Sequence, residues 1–231
     1  MANENESTVP SKSEAAGITF LDFLFTLSMG AGLTPEVLQI PGVKGLIEEK
    51  WAVNGTFPDG SELLRVFTFL LGFLTLTLSW YGYHGSLSKR PHKYDNGEDM
   101  FRFVLDVVLV ILYGIMLLRF FNLTVVLFIL VIVFLIYSLW DLMKFFTPGF
   151  FDTSSDEEKT ELRRRIHVTW TWTGFIALTF AANWRLGWEW PSVLTAIACV
   201  ILYRLNKYIR IREMFLRKLA VATPEPSQAK E

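Results

Sequence analysis

From Phe103 to Trp140 the chain is apolar almost without a break, and this run constrains the fold more than any other feature. As one α-helix it would be about 57 Å long at 1.5 Å per residue, against a bilayer hydrocarbon core of roughly 30 Å. It therefore has to reverse, and the polar residues that permit a reversal lie between Arg119 and Asn122. The expectation is a tight hairpin joining a helix over Phe103–Leu118 to one over Leu123–Trp140. The second of these carries no charge, and the first carries only Asp106.

Further segments have the same character. Gly17 to about Leu38 is diluted by Gly30, Gly32 and Pro35, whereas Val66–Tyr83 ends in a Trp/Tyr cluster suited to a membrane interface. Ile166–Ala182 and Trp190–Tyr203 are shorter, and a single re-entrant pair is the alternative to two spans. Pro191 falls in the first turn of the last segment, where its missing N–H costs nothing. The predicted fold is all-α, a polytopic membrane helix bundle of about six transmembrane helices with both termini cytoplasmic. Charge placement agrees with that topology, because most Lys and Arg residues fall on one side. Only Lys44, Lys50, Arg65, Arg119 and Arg185 fall on the other. Residues 1–16 read as a disordered cytoplasmic tail and 17–205 as the transmembrane bundle. Residues 206–231 read as a basic amphipathic cytoplasmic tail ending in a disordered segment.

Composition excludes more than it assigns. Hydrophobic residues are 52% of the chain and charged residues 19%, a balance suited to lipid rather than water. A single cysteine, Cys199, rules out an intrachain disulfide. His84 and His92 lack metal-ligand spacing, and neither a nucleophile–base arrangement nor a phosphate loop is present. The expectation is a protein that is not an enzyme, with no cofactor or metal. Its partners are the lipid bilayer, further copies of itself and a possible cytoplasmic protein, with no nucleic acid.

Polar groups inside a bilayer are costly and so mark candidate sites. Asp106 lies four residues after Arg102, a spacing that lets the two pair along one helix. Thr169, Thr171 and Thr173 alternate with Trp170 and Trp172, which predicts hydroxyl bonds to the backbone of the same helix or to a neighbouring helix. Trp184, Trp188 and Trp190 form an aromatic belt at the outer face. The run from Asp152 to Ile166 goes from acidic to basic, as a helix entering the fifth span would.

The first apolar segment, GITFLDFLFTLSMGAGLTPE, carries Asp22 near its start. Thr19 and Asp22 fit a capping box, which would set the helix N-terminus there. Leu27, Gly30, Ala31 and Thr34 follow at helical spacing on one small, mildly polar face, read as lying opposite Phe23 and Phe25. Such a face suits close helix packing or a pore lining with Leu27 as a constriction.

Phe20 and Asp22 in the first helix, with Trp80 and His84 closing the second, resemble the six-helix unit of the transmembrane protein 175 family of potassium-permeable channels. The family signature is Arg-x-x-x-Phe-Ser-Asp; here Leu21 stands for the serine and Ala16 for the arginine. The resemblance covers residues 17–92. It implies a pore lined by the first helix, a gate at Leu27, potassium conduction and a homo-oligomer, a tetramer. A bacterial inner membrane is the expected location. The other reading is a non-conducting scaffold or sensor that recruits a cytoplasmic partner, for example in a stress or phage-defence system.

Overall fold

The computed structural model describes residues 12–32, 60–87, 97–146 and 156–222, and all regular structure among them is α-helical. The helices are α1 (Lys12–Gly32), α2 (Gly60–Leu87), α3 (Gly97–Leu118), α4 (Leu123–Phe146), α5 (Asp156–Leu186) and α6 (Glu189–Ala222). Residues 119–121 form the expected reversal between α3 and α4. Asn122 caps α4, its side-chain oxygen accepting the Val125 N–H at 3.2 Å. A second tight turn joins α5 to α6 at Gly187, whose φ of 64° is left-handed. The Gly187 N–H returns to the Asn183 carbonyl at 3.0 Å, closing the last turn of α5. The last two apolar segments sit on helices of 31 and 34 residues joined by this turn.

Inter-helix contacts fix the relative directions. The α4–α5 pairing is the most extensive and is antiparallel: the Asn183 amide donates to Thr124 near one end, and Thr169 donates to Asp141 near the other. By contrast, α1 and α3 run the same way, with Phe20 against Phe103 and Ser28 donating to the Val110 carbonyl. The same holds for α2 and α6, where Phe67 meets Trp190 edge-on and Arg204 reaches Ser79. Both tight turns thus lie at one end of the bundle. The other end gathers the start of α5, the end of α4 and the Arg204 region of α6, and is called here the basic end.

Leu71 and Leu76 of α2, Leu117 of α3, and Leu127, Leu130 and Val133 of α4 are buried at the centre. The outer surface is nearly as apolar as this core. On α3, Val104, Val108, Ile111, Ile115 and Leu118 recur at i, i+4, i+7, i+11 and i+14 and are all exposed. Phe128, Leu135 and Leu139 of α4 and Phe175 and Leu178 of α5 do the same. A helix apolar on every side belongs in a large core or a membrane. Among the described residues, two helices, over Gly60–Tyr83 and Leu123–Met143, are long and apolar enough to cross a bilayer. The apolar runs of α1 and α3 are shorter, Thr19–Ser28 and Phe103–Leu118, and each carries one aspartate.

The structure corrects two expectations about the first helix. It begins at Lys12, inside the segment read as a tail, so Asp22 lies mid-helix and the Thr19–Asp22 pattern is not a cap. The reason is local: Ala15 and Ala16 favour helix, and no proline separates Lys12 from Thr19. In addition, Phe23 shares the exposed face of Leu27 and Gly30, at i, i+4 and i+7, while Leu21, Phe25 and Ser28 form the buried face.

Candidate functional site

At the basic end, five helices contribute to one polar nest. Along α2, Thr68, Thr75 and Ser79 form a buried hydroxyl stripe, each donating to the carbonyl four residues back. Ser79 also meets the Tyr137 hydroxyl of α4 at 2.5 Å. The same hydroxyl makes a short hydrogen bond with Tyr113 of α3. From α6, Arg204 donates through Nη2 to Ser79 Oγ at 2.8 Å and to the Tyr137 hydroxyl at 2.9 Å. Its guanidinium lies 5.3 Å from the Tyr137 ring centroid and 5.6 Å from that of Tyr203, within cation–π range. Gly82 makes room for it, since a Cβ there would lie 2.7 Å from Arg204 Nη1.

Below this cluster is a second, ionic layer. Asp141 of α4 is 3% exposed, accepts the Thr169 hydroxyl at 2.7 Å and pairs with the Lys207 ammonium at 3.7 Å. Lys207 also sits 4.8 Å from the Tyr203 ring centroid, so the two cations of α6 share one aromatic wall. Lys207 lies beyond the apolar segment 190–203, and burial lowers its pKa to about 8 while Asp141 opposes the shift. Ser138 and Thr173 bond at 2.9 Å and extend the polar contact between α4 and α5. Buried hydroxyls satisfied in this way fasten helices where apolar contact alone discriminates little.

Chemically, the nest holds a guanidinium on neutral oxygens and ring faces. The hydrogen bonds of Arg204 among the described residues all go to hydroxyls. Arg165 of α5 lies within electrostatic reach of Tyr203 and Lys207. Among the described residues, positive charge is therefore concentrated around one carboxylate, Asp141, a setting that suits an anion.

The residues expected from sequence are distributed differently. Asp22 and Trp80 do come together, the indole N–H donating to Asp22 Oδ1 across a long 3.4 Å. Asp106 is buried in α3, but the Arg102 side chain lies outside the described residues, as does that of His84. Leu27 is 57% exposed and Gly30 faces open space, so neither lines an interior of the single chain. The Ala31 side chain and all of Thr34 lie outside the described residues. Tyr113, Tyr137, Asp141, Arg204 and Lys207 were not singled out by the sequence. A signal existed: Asp141 follows directly on the uncharged run Leu123–Trp140, and Tyr203, Arg204 and Lys207 stand at i, i+1 and i+4 at the end of an apolar run. Compared with protein-family models, with curated proteins and with solved structures, the chain matches none.

Proposed function

We propose that all six helices cross a bilayer, with both termini on the side of the basic end, and that copies assemble around α1 into a channel-like oligomer passing monovalent cations such as potassium. The membrane part of this reading is supported by the apolar outer stripes, since a water-soluble monomer rarely exposes contiguous apolar surface beyond a few hundred Å². At 1.5 Å per residue, α5 and α6 reach about 46 and 51 Å, enough to cross and leave charged ends outside.

The observation that carries the channel reading is the placement of α1. The centre of the bundle is filled by Leu71, Leu76, Leu127 and Leu130, so an ion path would run between copies rather than through one chain. An exposed helix face with Leu27 and Gly30 at its centre, backed by the buried Leu21, Phe25 and Ser28, suits such an axis. Purified protein in liposomes is then expected to pass potassium, and Leu27→Ala is expected to raise the leak. Flux at the level of empty liposomes for both proteins would sink the channel reading.

The scaffold reading has one observation in its favour. Helix α6 continues from Lys207 to Ala222, about 22 Å further, as an arm able to recruit a cytoplasmic partner. Removing residues 209–231 separates the two: flux survives the deletion in a channel, and partner recruitment is lost in a scaffold.

A further inference from the structure

We propose that the nest of Arg165, Arg204 and Lys207 around Tyr203 binds the phosphate of an anionic phospholipid at the basic face of the bundle. This rests on the reading of the chain as a membrane protein, and not on conduction.

Charge balance is the first argument. Arg204 and Lys207 flank one ring at 5.6 and 4.8 Å, with Arg165 in electrostatic reach. Among the described residues Asp141 is the carboxylate of this nest, and it already serves Thr169 as well as Lys207. Like charges held half-buried and close together raise the free energy of the empty site, and an entering anion relieves it. Burial depresses the Lys207 pKa most, and the neighbouring Arg204 and Arg165 charges lower it further against the pull of Asp141.

Donor geometry is the second. The hydrogen bonds that Arg204 makes among the described residues engage Nη2, which leaves Nε and Nη1 as separate single donors to an anion's oxygens. The Lys207 side chain is 25% exposed, so its ammonium is reachable from outside while it pairs with Asp141.

The third argument chooses lipid over free phosphate. Ile201, Leu202 and Leu205 stand beside Arg204 in sequence and are all exposed, giving acyl chains an apolar track next to the headgroup nest. Basic pockets between helices on the cytoplasmic side of a membrane suit such headgroups.

The test is a native mass spectrometry titration of the full-length detergent-purified chain with phosphatidylglycerol and, separately, phosphatidylcholine. The wild type is expected to retain one phosphatidylglycerol about tenfold more tightly than phosphatidylcholine. The double variant Arg165→Gln/Lys207→Gln is expected to lose that preference. It leaves the Arg204–Ser79–Tyr137 hydrogen bonds in place, and its folding is checked by circular dichroism. Should it not fold, Arg165→Gln alone carries the test, with a loss of preference of about threefold or more expected. Arg119→Gln, at the other end of the bundle, is expected to match the wild type. Equal retention of both lipids by the wild type overturns the proposal, as does an unchanged preference in the folded variants. Displacement of the bound lipid by millimolar inorganic phosphate would assign the nest to free phosphate and overturn the lipid assignment. A chain that binds phosphatidylglycerol yet passes no potassium loses only the channel reading.

Discussion

Tyr137 is the residue on which the basic end turns. Its hydroxyl meets Ser79, Tyr113 and Arg204, so one oxygen joins α2, α3, α4 and α6. Tyr137→Phe keeps the ring stacked on Tyr203 but leaves these partners without a shared acceptor. The expected loss is about 1–3 kcal/mol, read by thermal unfolding in detergent. Melting with the wild type would mean that the cluster contributes no net stability. The position was hard to read from sequence, because a tyrosine near the end of an apolar helix usually marks an interface. Gly82 was equally silent: only the approach of Arg204 shows why a side chain is missing there.

At the scale of the element, the turns at Gly187 and Asn122 set how the chain folds back. Gly187 holds φ at 64°, a conformation that costs an L-residue roughly 1–2 kcal/mol. Gly187→Ala is therefore expected to destabilise the bundle by about that amount, measured by the same melt. Space is not the issue, since a Cβ there meets nothing within 4 Å. A melting curve unchanged by the substitution would show that the α5–α6 turn relaxes without cost. Helix existence was legible at this scale, because apolar runs of this length have few other ways to satisfy their backbone. Helix starts were not. The Thr19–Asp22 pattern imitates a cap, yet α1 extends back to Lys12. A capping box is a short pattern, and it marks a start only where the preceding residues leave the helix.

For the whole molecule, the proposed topology makes a prediction about sidedness. In a Cys199→Ser background, Arg119→Cys in the first turn is expected to react with a membrane-impermeant maleimide from outside intact cells. Arg164→Cys at the start of α5 is expected to react only after permeabilisation. Labelling of both positions from the same side would remove the six-span arrangement. Cys199 itself is buried, so it interferes little even before replacement.

The sequence by itself determined that the chain is helical, that Phe103–Trp140 must double back near Arg119–Asn122, and that the Thr169–Thr173 hydroxyls bond within their own helix or to a neighbour. Each of these depends on length, charge or local spacing, which a linear chain displays directly. Only the tertiary structure decided that Arg204 bridges α2 and α4, that Asp141 pairs with Lys207, and that Phe23 joins Leu27 on the exposed face of α1. Those facts depend on which helix sits beside which. In a chain that is apolar on nearly every face, periodicity does not say which side of a helix is inward. The choice fell to the few buried hydroxyls and charges whose partners lie from 24 to 125 residues away in sequence.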